Sequence, residues 1–281
     1  MCRRAARLAA FPVLKGIMSL QRFFLESQVI AEEAAEEFPL SLSPDDEKHV
    51  RVLRLAPGEH IAVVDAASDY FECEIRGFDG ATPIVSIAQH LGAPRARARV
   101  TLVQGMAKGE KMDDVVRHAT ELGTSAFRPL LCERSIVKLD AKKTATRMKR
   151  WASIAKSAAM QSGQPRIPQV HEPQAVGETC KELAAATAVL VCWEEAPETA
   201  CLATALQRAL EEAGCTAPEA NVAVVVGPEG GLSPREVEAL LACNPRSALV
   251  SLGPSILRTE TAGIVAPALV LYELGCLGER A

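Results

Sequence analysis

The sequence predicts an α/β protein in two parts, a small β-barrel domain followed by a larger domain built on a parallel sheet. Three observations predict it. Short alternating strands with regular turn signals fill residues 22–91. Beyond a linker at Gly92-Ala93-Pro94 the period changes, and strands alternate with helical patterns. Near the C-terminus two glycine-rich turns, Gly227-Pro228-Glu229-Gly230-Gly231 and Leu252-Gly253-Pro254-Ser255, each follow a β-branched run and precede a helix. The expected bounds are an extension over 1–19, a barrel over 20–93 and the α/β domain over 94–281.

The first 25 residues carry Arg3, Arg4, Arg7, Lys15 and Arg22 and no acid. A transit peptide fits that composition, and so does an over-long start with Met18 as the working initiator. Residues 1–19 are expected to be disordered. In the barrel region the strand patterns are Phe38 to Leu42, His60 to Asp65, Tyr70 to Ile75 and Ile84 to Ile87, separated at Pro57-Gly58, Ala67-Ser68-Asp69 and Asp79-Gly80. One helix interrupts them, opened by Ser43-Pro44-Asp45-Asp46. Its Val50, Leu53 and Leu55 face inward, which leaves Lys48, His49, Arg51 and Arg54 outward. A solvated face explains those bases as well as a phosphate contact does.

In the second part the pattern reads strand 99–104, helix 110–122, strand 126–131, helix 141–160, strand 188–192 and helix 199–212. Two strand-turn-helix units follow. Val222 to Val226 reads as a strand buried on both faces, and Ser233-Pro234-Arg235-Glu236 as a helix start with a capping box. Ala248 to Ser251 is the last strand, with an apolar helix from about Thr261 to Leu274. Two such units place their turns side by side at the carboxyl ends of neighbouring parallel strands, where open α/β sheets bind ligands. Glycines at 227, 230, 231 and 253 let the backbone approach a flat ligand, although chain reversal alone would also use them.

Net charge is −4, so any nucleic-acid contact must come from a local patch. One exists: seven bases, Arg134, Lys138, Lys142, Lys143, Arg147, Lys149 and Arg150, stand against the single acid Asp140. A solvated helix face would show the same run. The nine cysteines form no CxxC pair and fit free thiols in a reducing cytoplasm, and no HExxH occurs, so no metal is expected. No apolar run reaches membrane-spanning length. GxGxxG, P-loop and GxSxG signatures are all missing, which leaves binding and positioning by backbone turns, with Arg258, Thr259 and Glu260 as the polar groups at hand.

The motifs QGMAKGEKMD at 104–113, ELG at 121–123, ERS with a following lysine at 133–138, GPEGGLS at 227–233 and LGPSILRTETA at 252–262 stand in this order. With Arg22-Phe23-Phe24 and the run from His49 to Arg54, they resemble the ribosomal small-subunit RNA (uracil-N3) methyltransferases of the SPOUT superfamily. The resemblance covers about residues 20 to 276. It implies a PUA-like RNA-binding barrel, an α/β domain closed by a trefoil knot, and a homodimer acting on ribosomal RNA or the small ribosomal subunit. It also implies S-adenosylmethionine bound by Gly227, Gly230, Gly231, Leu252, Gly253, Ile256 and Leu257. Glu260 would be the base and Arg258 the anion stabiliser, although an ion pair that only shapes the loop is an equal reading of both. Arg22, Arg54, Lys108, Lys111, Arg134 and Lys138 would hold RNA phosphates. Met160-Gln161-Ser162-Gly163-Gln164 departs from the charged pattern of many relatives, which weakens any RNA contact there. The same fold acting on another RNA, or binding RNA without turnover, stays open at this point.

Overall fold

The computed structural model describes residues 20–92, 97–135, 141–197 and 199–277. Among these the chain divides into two compact units, one of the residues up to 92 together with Met160–Arg166, the other of 97–159 and the residues after Arg166.

The first unit holds β1 (Arg22–Phe24), β2 (Phe38–Pro39), α1 (Pro44–Leu53), β3 (His60–Val64), β4 (Tyr70–Asp79) and β5 (Thr82–His90) in a five-stranded sheet of order β1-β3-β4-β5-β2. Alternation in β4 does what its pattern predicts: Phe71, Cys73 and Ile75 are buried, while Glu72 and Glu74 between them are partly exposed. Asp65 builds the turn between β3 and β4. Its buried carboxylate accepts the N–H groups of Ala67 and Asp69 at 2.9 Å each, and that of Ile30 at 3.0 Å. At the start of α1 the Ser43 hydroxyl accepts the Asp46 N–H at 3.2 Å, and Val50 is the buried residue of its inner face.

Arg22 corrects an expectation. It is only 5% exposed, and its guanidinium donates to the carbonyls of Gly163 and Gln164, the latter at 2.8 Å, while lying 5.1 Å from the Tyr70 ring centroid. So enclosed, the side chain ties the Met160–Arg166 segment to β1, and that segment falls with the first unit and not within a contiguous 94–281. Arg22→Met strips the donor from two half-buried carbonyls, a loss of about 1–3 kcal/mol. The expected result in thermal unfolding is a lower Tm.

The second unit is a sheet with helices on both faces. Its elements are β6 (Arg99–Gly105), α2 (Lys111–Leu122), β7 (Ala126–Leu131), α3 (Ala141–Ser162), β8 (Gln169–Val170), β9 (Gln174–Ala175), α4 (Val176–Leu183), β10 (Ala188–Cys192), α5 (Leu202–Ala213), β11 (Asn221–Val226), α6 (Pro234–Ala242), β12 (Ser247–Val250) and α7 (Thr259–Glu273). The strand order is β12-β10-β11-β6-β7-β8, with β9 also on β7, and every pairing is parallel. Residues alternate between two apolar layers. Val222, Val224 and Val226 pack with Leu102, Leu190 and the α2, α5 and α7 side, while Ala223 and Val225 pack with Val103, Val189 and the α4 and α6 side. Each fully buried valine in β11 contributes about 1.5–3 kcal/mol of transfer free energy, so the strand is held from both faces. β8 and β9 are not legible in the pattern, because two-residue strands carry no period, and α4, at 8 residues, is shorter than the helices that periodicity identifies.

Candidate active site

The registers decide where the loops emerge. Cys192 at the end of β10 pairs with Val226 of β11 and Val250 of β12, and Val226 pairs with Gln104 of β6. Four strands therefore end at one level, and their loops share that edge. The two glycine turns are not on neighbouring strands as expected: β10 lies between β11 and β12, so the loop that begins at Trp193 stands between them. A topology that inserts an earlier strand between two consecutive ones leaves no trace in local periodicity.

These loops surround a cavity of ≈ 510 Å³. Of the residues expected against a cofactor, Gly227, Gly231, Leu252, Gly253, Ile256 and Leu257 line it. Gly230 sits behind, where an added Cβ would lie 2.9 Å from Arg134 Cβ and 3.0 Å from the Arg134 carbonyl oxygen. Gly253 has φ +111 and Gly231 φ +69, left-handed backbone that favours glycine; at 231 a Cβ would also come within 2.4 Å of Glu194 Oε1. Behind the first turn the Ser233 hydroxyl accepts the Glu236 N–H at 3.3 Å. Glu236 answers by accepting the N–H groups of Ser233 and Glu133 at 2.8 Å each. The capping box of α6 thus also anchors the end of the β7 loop.

A charged string crosses the cavity edge. Glu229 Oε1 accepts the Lys108 N–H at 3.0 Å and lies 3.1 Å from Lys111 Nζ, which is also 3.1 Å from Glu260 Oε2. Burial resists the charge on Glu229, but the Lys108 and Glu229 N–H groups and Lys111 outweigh it and hold the carboxyl below its ordinary range. Glu260 behaves alike: burial is overcome by its own N–H in the first turn of α7, by Lys111 and by Arg258, and its pKa is lowered. Both are carboxylates at neutral pH. Lys111, expected to meet phosphate, is instead the cation between two acids, and those partners raise its pKa, Glu229 first.

The remaining bases divide by environment. Arg258, the N-cap residue of α7, is exposed and lines the cavity; its carbonyl accepts the Ala262 N–H at 2.8 Å, and its guanidinium makes no ion pair within 4 Å among the described residues. Arg54 and Lys108 are exposed, and Lys138 lies outside the described residues. Arg134 donates to the carbonyls of Gly230 and Leu232 at 3.3 Å each, so it braces the first glycine turn. In the basic run, Arg150 is engaged by Glu110 at 3.0 Å and by Asp113, which also accepts the Trp151 indole N–H at 3.1 Å. Sequence reasoning missed Trp193 and Glu194 in the cavity wall. Their signal was present, a tryptophan and an acid immediately after a buried strand.

Helices on both faces of a parallel sheet, with a cavity walled by backbone turns at the ends of its strands, place the chain among α/β proteins that seat a ligand at that edge. Residues 94–271 match the family described as RNA methyltransferase domain, and the chain belongs to that family. It is 30% identical over 261 residues to the ribosomal RNA small subunit methyltransferase E of Bacillus subtilis, covering 90% of this chain and 97% of that one. Among solved structures, the ribosomal RNA small subunit methyltransferase E of Neisseria gonorrhoeae, bound to S-adenosylmethionine, is 25% identical with a TM-score of 0.72, over 90% of this chain and 97% of that chain. A Legionella pneumophila protein solved with the cofactor S-adenosylmethionine is 28% identical with a TM-score of 0.73, again over 90% and 97%.

Proposed function

We propose that the chain transfers a methyl group from S-adenosylmethionine to N3 of a uridine in small-subunit ribosomal RNA. The observation that carries this reading is the glycine-walled cavity with Glu260, Lys111 and Arg258 at its edge, in a chain of the RNA methyltransferase family. The cavity suits the cofactor on two counts. Its ≈ 510 Å³ falls in the range of about 300–1,000 Å³ typical of small-molecule sites, and the positive φ at 231 and 253 disfavours side chains there, which would leave backbone N–H and C=O groups to hold the cofactor. When bound, S-adenosylmethionine supplies an electrophilic methyl on a sulfonium sulfur.

The chain's own residues do the rest. Gly227, Gly231, Leu252, Gly253, Ile256 and Leu257 would hold the donor, Gly230 lets the turn close on Arg134, and alignment of the reacting groups would be much of the acceleration. Uracil N3 carries a proton that must leave for the nitrogen to attack. Glu260, ionised and next to Lys111, accepts that proton on a carboxylate oxygen. Arg258, whose charge also helps to hold Glu260 ionised, faces the anion that forms on the base or the adjacent phosphate. Arg54, Lys108 and Lys138 are the phosphate contacts that remain once Arg22 and Lys111 are engaged elsewhere, with Arg134 shared between turn and RNA. Lys138→Glu should weaken RNA binding about tenfold with cofactor Kd unchanged. Arg134→Glu should weaken both, and filter binding paired with titration calorimetry separates them.

The five-stranded sheet supports a PUA-like barrel, and the motifs at 227–233 and 252–262 that carry the resemblance support a knotted crossover. Exposed Ile256, Leu269 and Tyr272 support a homodimer, and ribosomal RNA as substrate suits a cytoplasmic setting. Mass-spectrometric mapping of small-subunit ribosomal RNA, with and without this protein, tests the reading. Loss of one N3-methyluridine is expected, and an unchanged map would refute it; free RNA and assembled subunits serve as alternative substrates in vitro.

A further inference from the structure

We propose that Gln104 and Thr259 form a buried relay that fixes the Gly227–Pro228 peptide and so sets the affinity of the cavity for its cofactor; the inference rests on the reading of that cavity as an S-adenosylmethionine site. The relay joins three elements far apart in sequence. Gln104 Nε2, at the end of β6, donates to Thr259 Oγ1 at 2.8 Å and to the Gly105 carbonyl at 3.3 Å. Thr259 Oγ1, at the start of α7, donates to the Gly227 carbonyl at 2.6 Å. Gln104 is 0% and Thr259 6% exposed, so water does not compete for these bonds.

Direction along the relay is forced. A carbonyl oxygen cannot donate, so the threonine hydrogen must point at Gly227, and the lone pair left over must take the glutamine amide hydrogen. That fixes the glutamine with its oxygen on the far side, where Oε1 has no hydrogen-bond partner among the described residues. Room for it exists only because residue 263 is glycine: a Cβ there would stand 2.3 Å from Gln104 Oε1 and 3.1 Å from Val115 Cγ1. A residue serving the core alone would be apolar here. The chain instead keeps an amide here, with an N–H on Thr259.

A second contact grips the same peptide. A Cβ on Gly105 would lie 2.3 Å from Pro228 N and 2.6 Å from Gly227 C, so the end of β6 is packed against the Gly227–Pro228 plane while Thr259 bonds its carbonyl. Gly227, Pro228 and Thr259 all line the cavity. The hydroxyl therefore acts through the backbone of the first glycine turn, which makes Thr259 and Gln104 positioning residues.

The test compares Thr259→Val, which keeps shape and removes the hydroxyl, with Thr259→Ser, which keeps the hydroxyl. Titration calorimetry with S-adenosylmethionine is run on the full chain, beside single-turnover methylation at saturating cofactor. Thr259→Val should raise Kd about tenfold, the size of one lost hydrogen bond, and lower the saturated rate by less than that, because the Gly105 contact still holds the peptide in place, while Thr259→Ser stays near wild type. Wild-type affinity in Thr259→Val, equal impairment of Thr259→Ser, or a valine variant that no longer folds would each overturn the proposal, the last by assigning the hydroxyl to fold stability. Absence of heat with the wild-type protein would instead remove the cofactor reading, and the relay's role with it.

Discussion

Gly105→Ala is expected to cut the single-turnover methylation rate about 100-fold, because it displaces the first glycine turn by about 1 Å, a misplacement of the size that costs catalysis two orders of magnitude. Gly105 is not at positive φ, so the backbone itself accepts alanine. The obstacle is what the methyl meets: Pro228 N at 2.3 Å, Pro228 Cδ at 2.5 Å and Gly227 C at 2.6 Å. None of these is the end of a flexible side chain, so the turn itself must retreat. Overpacking of this kind destabilises by about 1–3 kcal/mol, so Tm should fall by several degrees and cofactor Kd should rise. Gly177→Ala is the matched control. Nothing lies within 4 Å of its added Cβ, and it should leave rate and Kd at wild-type values. A fully active Gly105→Ala enzyme would show that the first turn does not need its present position.

Glu260→Gln should slow single-turnover methylation by about 10²–10⁴-fold, the usual contribution of a positioned base, with folding and cofactor affinity retained. The amide keeps the size of the carboxylate but accepts no proton. Lys111 keeps Glu229 as a partner at 3.1 Å, so the string does not come apart. The pH behaviour has a definite sign. The Glu260 pKa is lowered in the folded chain, so the group is ionised at neutrality and takes up its proton below its ordinary value. The stability of its pairing is present above the unfolded pKa and is lost only as pH falls through the lowered folded value. Any rise of rate with pH near neutrality must then come from another group, the uracil imide itself being the natural one. A full rate in Glu260→Gln would leave the carboxylate as an ion-pair partner of Lys111 alone.

Much of this arrangement is legible in the chain where chemistry is local. Ser233, Pro234 and Glu236 announce the start of α6 because a capping box needs only residues three apart. The apolar run 222–226 announces a strand buried on both faces, and the glycines after it announce a turn. Nonlocal facts are not legible. Nothing near residue 188 says that β10 inserts between β11 and β12, and so the loop bearing Trp193 and Glu194 went unassigned. Charge misled in the same way. Arg22, Lys111 and Arg134 look alike in a sequence, yet one is buried under Tyr70, one joins two acids and one braces a glycine turn. Whether a base is free depends on acceptors that are more than a hundred residues away for Arg22 and for Lys111 toward Glu229.

The cavity walls come from residues near 111, 193, 227 and 253, carried by strands whose hydrogen-bonded neighbours are distant in sequence. A partly folded chain holding only some of those strands has no wall to offer a ligand. Ligand added in excess therefore favours the complete fold alone, and at a hundred times Kd it should raise the unfolding free energy by about 2.7 kcal/mol. Melting temperature then becomes a measure of occupancy, and the protein inside a cell is sturdiest when its methyl donor is plentiful.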